Sequence, residues 1–300
     1  MVLAVALVIL AVGSVVFHFW SPWWWTPIAS NWGSIDTAII ITFWITGVAY
    51  VAVLLFMAYC LYRFRYRKER RADYEPENTK LEWTLTIVTS IGVVGLLTPG
   101  LIAWNDFVTV PEDATEMEVF GRQWDWNYRL PGKDGKLGTT NTRLVNDDNP
   151  FGINPKDPNG KDDILIEGED LHLELGQPIK MLMRTTDVLH DFYVPEFRAK
   201  MDIVPGMVTF MWLTPTRTGT FDVLCAELFG VNHYAMRGAV TVDDSAAYQK
   251  WLAEQQTFAA LYPKAAGVEQ FATTHDGPVN GPVKKTMLTE TETESQKAVR

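Results

Sequence analysis

The chain has 300 residues, 47% of them hydrophobic, a formal charge of −10 and a pI near 5.0, which leaves room for a membrane region and one globular domain. The acidic balance excludes a nucleic-acid-binding role and suits electrostatic steering of a basic protein partner. Two cysteines exclude a disulfide framework; Cys60 lies in an apolar run and Cys225 in the soluble part, so they are not expected to meet.

Three apolar runs open the chain, at 2–20, 37–62 and 84–104. Each reaches the roughly 20 residues that cross a bilayer as a helix, and lipid forces the helix because backbone polar groups must be satisfied within the segment. Arg63, Arg65, Arg67, Lys68, Arg70 and Arg71, against the single acid Glu69, follow the second run. The positive-inside rule puts that loop in the cytoplasm and everything after Asn105 on the outer, periplasmic side. Trp23, Trp24, Trp25 and Trp32 fall between the first two runs, where an outer-interface aromatic belt is expected. The first run lacks a basic n-region and is longer than a usual signal core, so 1–20 reads either as a retained helix or as a cleaved signal peptide. Both readings leave Ser21 onward outside.

Beyond the runs the pattern changes. Residues 116–129 alternate apolar and polar, a strand signature. Shorter strand candidates follow at 164–166, 171–175, 179–184, 207–213, 221–224 and 238–242, punctuated by Gly, Pro, Asn and Asp, which predicts a β-sandwich or barrel. Residues 131–163 are rich in Gly, Asn, Asp and Pro; Asp157, Asn159, Asp162 and Asp163 lack EF-hand spacing and its terminal Glu, so a solvated loop is expected. Residues 245–261 read as an amphipathic helix, and the polar end of the chain as disordered. The expected organisation is a helix or signal at 1–20, a transmembrane helical hairpin at 36–107, an all-β domain at 115–243, a C-terminal helix at 244–262 and a disordered tail at 263–300.

The residues that carry chemistry are concentrated late in the chain. Cys225, His233 and Met236 lie within twelve residues, and His190 sits on a separate segment. Thiolate, imidazole and thioether are the donor set that copper prefers. The plainer reading of Cys225 is an inert core thiol, and of a lone His a satisfied one.

The spacing resembles the metal loop of subunit II of heme-copper oxidases, C-x-x-x-C-x-x-x-H-x-x-M with a Glu two residues after the first Cys. Cys225, Glu227, His233 and Met236 match, and Phe229 stands at the second Cys position. Gly121 to Tyr128 resembles the family's G-x-Q-W-x-W-x-Y motif, in which the Trp after Gln, here Trp124, is where electrons arrive from cytochrome c. The plainer reading is that these aromatics fill a strand face. Asp187 to Pro195 resembles the first-ligand segment around His190, Lys200 to Gly206 the K-x-D-x-x-P-G stretch, and Asn149 to Pro155 the N-P-F-G-x-x-P stretch. Glu82-Trp83-Thr84 is similar to the E-x-x-W-T helix opening with a shorter spacing, and a dipole-favoured acid at a helix start explains Glu82 as well.

The resemblance spans about 36–258. It implies a helical transmembrane hairpin followed by a Greek-key cupredoxin sandwich on the periplasmic side of a bacterial inner membrane. It implies copper held by His190, Cys225, His233, Met236 and the Glu227 carbonyl, with the Glu227 carboxylate on a magnesium ion at the interface with subunit I. The implied partners are subunits I and III, cytochrome c and membrane lipid. The implied activity is electron transfer from cytochrome c to the hemes of subunit I, where oxygen is reduced and protons are pumped. In the family two bridging thiolates hold a binuclear CuA centre, and Phe229 removes one. The remaining thiolate, two imidazoles and thioether are the ligands of a mononuclear blue-copper site. Three outcomes stay open: a single copper, two coppers held by a shifted geometry or a partner chain, or an empty site. The alternatives are subunit II of a quinol oxidase or nitric oxide reductase, and a non-redox anchoring or assembly subunit.

Overall fold

The computed structural model describes residues 1–21, 26–71, 74 and 76–268, and all that follows concerns the unit Met1–Val268. Trp23, Trp24 and Trp25 of the expected aromatic belt, and the tail from 269 onward, lie outside the described residues.

The three apolar runs are helices α1 (Val2–Trp20), α2 (Gly33–Arg63) and α3 (Thr79–Val108), each long and apolar enough to cross a membrane. α2 and α3 outrun their apolar stretches at both ends. α3 starts early because the Asn78 side chain accepts from Leu81 N at 3.0 Å and satisfies an end N–H. Glu82 falls in the first turn of α3, where a carboxylate is favoured by the helix dipole. Ala4 and Ala11 of α1 and Ala58 of α2 are buried, and Ser14 Oγ lies 3.3 Å from Tyr50 Oη. Small side chains let helices approach closely in lipid.

Ten strands follow: β1 (Thr115–Arg122), β2 (Asp125–Leu130), β3 (Ile164–Glu167), β4 (Leu171–Glu174), β5 (Ile179–Thr185), β6 (His190–Val194), β7 (Ala199–Ile203), β8 (Thr209–Leu213), β9 (Gly219–Cys225) and β10 (Arg237–Asp243). They form two sheets, ordered β3-β2-β1-β5-β8 and β4-β10-β9-β6-β7. The sheets enclose one core that includes Met117, Val119, Trp126, Tyr128, Phe192, Met211 and Val223. This is a cupredoxin-like sandwich.

Two expectations fail here. The single strand read at 116–129 is a hairpin: β1 and β2 pair antiparallel from Glu118↔Arg129 to Arg122↔Asp125, leaving Gln123 and Trp124 as a two-residue turn. The alternation runs unbroken through so short a turn, so the sequence pattern conceals it. Trp124 therefore does not fill a strand face.

The second failure concerns 131–163, which is not a solvated loop. The outward face of β1, β2 and β5 carries Glu118, Phe120, Asn127, Arg129 and Arg184, all buried beneath this insertion. Phe120, Phe151, Ile153, Leu165, Phe258 and Ala266 make a second core there. Beneath it Glu118 takes both guanidinium groups: Arg129 Nε donates at 2.7 Å, and Arg184 Nε bonds the other oxygen. Asp163 accepts from Arg129 Nη1 at 2.6 Å and from Gly138 N at 3.0 Å. The polar composition misled because the Asn and Asp side chains turn back on local N–H groups: Asn141 to Arg143, Asn146 to Asp148, Asn149 to Ile153 and Asp157 to Asn159.

The expected C-terminal helix is two, α4 (Ser245–Glu254) and α5 (Phe258–Leu261), capped by Asp244 and Thr257. Between them Gln256 O accepts from Leu165 N at 3.1 Å and Thr257 bridges to Ile164, so this segment pairs with β3. Residues 263–268, expected to begin the tail, make turns that bury Ala266 completely, because Phe258 and Phe151 offer it an apolar seat.

The sandwich is joined to the helices by Trp32, Phe107 and Trp212. Trp32 was expected at a membrane interface but is only 2% exposed. Its ring lies 4.8 Å from Trp212 and 5.2 Å from Phe107, and its Nε1 donates to Trp212 O at 3.0 Å. Trp212 Nε1 in turn donates to Asp106 O at 3.0 Å, and Arg198 Nε to Asp36 Oδ1 at 2.7 Å.

Candidate metal centre

His190 opens β6, whose partner in the sheet is β9, with Phe192 opposite Cys225. Cys225 ends β9, the loop 226–236 follows, and β10 returns beside β9 with Arg237 opposite Leu224. The topology thus brings the His190 strand and the Cys225–Met236 loop to one end of one sheet. Ala226 N donates to Asp191 O at 3.0 Å and pins the loop start to the His190 strand. The loop closes on a tight turn in which His233 N bonds Gly230 O and Met236 N bonds His233 O, both at 3.2 Å.

His190 is fully buried. Its Nε2 lies 2.9 Å from Asp187 Oδ1. A carboxylate only accepts, so Nε2 carries the proton, and in the uncharged ring Nδ1 holds the lone pair. That Nδ1 is buried without a hydrogen-bond partner, and so is Nδ1 of His233. Both imidazoles meet the Phe229 ring edge-on, at centroid distances of 4.6 Å for His190 and 5.4 Å for His233. Met236 is buried in the main core, and Cys225 and Phe229 pack against it half-buried. Cys225 Sγ lies 3.5 Å from the Glu227 carbonyl oxygen. Gly121 of β1 makes room for the imidazole: a Cβ there would fall 3.1 Å from His190 Cδ2.

The electrostatics bear on the thiol and its neighbours. Burial pushes the Cys225 thiol above its ordinary value, and the Asp191 and Glu227 carboxylates add to it. Burial also raises Asp191, against the Lys200 ammonium 2.5 Å away. Asp187 is shifted down: burial opposes ionisation, but bonds from His190, Thr185, Val188 and Gln123 outweigh it. Sequence reading passed over Asp187, although its place three residues before His190 was visible.

The structure therefore brings His190, Phe229 and His233 into contact and sets Cys225 and Met236 against the same core. Among the described residues, no three His, Cys, Asp or Glu side chains gather closely enough to hold a metal ion. Two unpartnered imidazole nitrogens, a thiol and a thioether are the donor types copper takes, but they are not gathered here to ion-binding distance. Phe229 occupies the second Cys position of the resembled motif, so this loop offers one thiol. Glu227 has no such companions for magnesium among the described residues. Trp124, at the β1–β2 turn, is 47% exposed, as are Leu228 at 78%, Val231 at 89% and Tyr234 at 77% on the metal loop.

The family model for the periplasmic domain of cytochrome c oxidase subunit II matches residues 115–242. The alternative cytochrome c oxidase subunit 2 of Bradyrhizobium diazoefficiens is 59% identical over 268 residues, covering 89% of this chain and 97% of that protein. Cytochrome c oxidase subunit 2 of Cereibacter sphaeroides is 25% identical over 238 residues, 76% of this chain and 77% of that one. Among solved structures, the periplasmic domain of subunit II of cytochrome oxidase from Bradyrhizobium japonicum aligns at 25% identity with a TM-score of 0.36, covering 48% of this chain and 95% of that chain.

Proposed function

This chain belongs to the cytochrome c oxidase subunit II family and is part of a heme-copper oxidase, and on that premise we propose that it receives electrons from cytochrome c at a single-copper site and passes them to subunit I. The observation that carries the reading is the pair of buried, unpartnered Nδ1 atoms of His190 and His233 on the loop end that also bears Cys225 and Met236. Buried polar atoms are almost always paired, so two open imidazole nitrogens against one Phe229 ring support a ligand there.

His190, Cys225 and His233 would hold the copper, with Met236 as the weak fourth donor and the Glu227 carbonyl beside it. A copper ion so held supplies a one-electron carrier whose coordination changes little with oxidation state. The protein's own part is separable from it. Asp187 fixes the tautomer that leaves His190 Nδ1 open. Phe229 and Met236 keep the pocket dry. The exposed Trp124 indole and the apolar tips of Leu228, Val231 and Tyr234 offer a contact surface to a donor protein, and the chain's acidic balance steers a basic one toward it. Glu227 would contribute at most one ligand to a magnesium ion shared with subunit I. The soluble domain would stand on the periplasmic side of the inner membrane, with the helices against subunit I, lipid and, in the full complex, subunit III.

Copper per chain, visible absorption and EPR of the purified complex test this. One copper with an intense thiolate band is expected, with band and metal both lost in His190→Ala and Cys225→Ser. Trp124→Ala is expected to slow reduction by cytochrome c while leaving copper content unchanged. Two coppers sharing one unpaired electron would restore the binuclear centre. A metal-free complex that oxidises quinol but not cytochrome c would replace the reading with a quinol oxidase subunit II.

A further inference from the structure

Asp187 lies in the connection between β5 and β6, and its two carboxylate oxygens have different partners. Oδ1 accepts from Thr185 Oγ1 at 2.7 Å, from Val188 N at 2.6 Å and from His190 Nε2 at 2.9 Å. Oδ2 accepts from the backbone N–H of Gln123 at 2.6 Å. Gln123 is the first residue of the two-residue turn that presents Trp124. That turn belongs to the first sheet and His190 to the second, so one side chain ties together the two sheets where the surface indole and the buried imidazole lie. Besides the β1–β2 ladder, a half-exposed Arg122–Asp125 ion pair at 3.6 Å spans this turn. An ionised acceptor makes stronger hydrogen bonds than a neutral one, and Asp187 makes four.

We propose that Asp187 is a positioning residue that holds the Trp124 turn and the His190 ring in one fixed relation. The inference rests on the reading that electrons arrive on the Trp124 side. The clamp itself is a property of the metal-free chain. It assigns the two oxygens separate work: Oδ1 orients the imidazole, and Oδ2 anchors the turn.

Asp187→Asn separates the two. Its one carbonyl oxygen serves the three donors at the Oδ1 position, and its amide N–H then faces the Gln123 N–H, donor against donor. Hydrogen exchange of the full chain in detergent, without metal, is expected to show the Gln123 amide exchanging about tenfold faster, the loss of one hydrogen bond. Amides of β6 and β9 keep their protection. In the assembled oxidase the same variant keeps the parent's copper content and visible spectrum but is reduced more slowly by cytochrome c. Asp187→Ala loses both arms, so the thiolate absorption band shifts as well.

Unchanged Gln123 exchange in Asp187→Asn would overturn the clamp, even with copper bound and electron transfer intact. So would a loss of protection spreading through β6 and β9, the mark of a merely structural residue. If the parent complex carries no copper, the copper reading fails, and faster Gln123 exchange still supports the clamp.

Discussion

The Trp32 indole donates its N–H to the carbonyl of Trp212 at 3.0 Å, and this bond sits at the joint between the second helix and strand β8. The two rings are buried against each other, and Trp32 also packs against Phe107 at the end of α3. The sandwich is thus fastened to both long helices through aromatic packing, and the candidate metal end of the domain inherits its orientation from that joint.

Trp32→Phe keeps most of the packing and removes the bond; it is expected to cost about 1–2 kcal/mol, the price of leaving the Trp212 carbonyl unpaired. Trp32→Ala also leaves a cavity and is expected to cost about 3–5 kcal/mol. Chemical unfolding of the detergent-purified chain, followed by loss of near-UV signal, measures both. Equal losses in the two variants would mean that the bond, not the packing, holds the joint.

Phe229→Cys supplies the thiolate the family's loop carries at that position. Copper per chain is expected to rise from one to two, and the EPR pattern to change from that of one copper nucleus to that of an electron shared between two. The Phe229 ring touches both imidazoles, so its removal also frees the space a second ion needs. Retention of a single copper in Phe229→Cys would show that something other than the missing thiolate sets the stoichiometry.

Glu118→Gln should be strongly destabilising although Glu118 is no part of the metal loop. Glu118 is 1% exposed and pairs with Arg129 and Arg184, which are themselves buried. Removing its charge leaves two buried guanidinium groups with Asp163 as the remaining carboxylate, an expected loss of about 3–5 kcal/mol. The midpoint and slope of urea unfolding separate this from a change in the unfolded chain.

Asp163 gives the fold a pH dependence of known sign. Burial raises its carboxyl from 3.8 to about 6, against the opposing pull of Arg129. The folded state then binds this proton more tightly than the unfolded chain does. Its contribution to stability is complete below pH 3.8 and is lost as the pH rises through about 6. Asp163→Asn should therefore flatten the stability profile over that window relative to the parent. Unfolding midpoints taken across the window in both proteins provide the check, and parallel profiles would mean that Asp163 does not titrate there.

The apolar helices and most strands were legible because each follows a short-range rule, apolar length or alternation, and the spacing of Cys225, His233 and Met236 already put them on one loop. What escaped depended on contacts distant in the chain. The turn at Gln123 and Trp124 is invisible in an alternation that continues across it. The insertion reads as polar because its Asn and Asp side chains are spent on nearby N–H groups, while Phe151 and Ile153, which anchor it, are too few to make a pattern. Trp32 belonged to an apparent belt, and only the position of Trp212, 180 residues later, shows it to be a core residue. Asp187 matters through Gln123, 64 residues earlier, a distance no local motif spans.

The pairing of Gln256 and Thr257 with β3 reaches beyond the packing of the C-terminal segment. A bare strand edge is a template on which another chain can add, and this edge is occupied by the protein's own late residues. During synthesis the rim of the first sheet therefore stays open until nearly the whole domain has emerged. The stretch that closes it serves as a guard against self-association, well removed from any redox role.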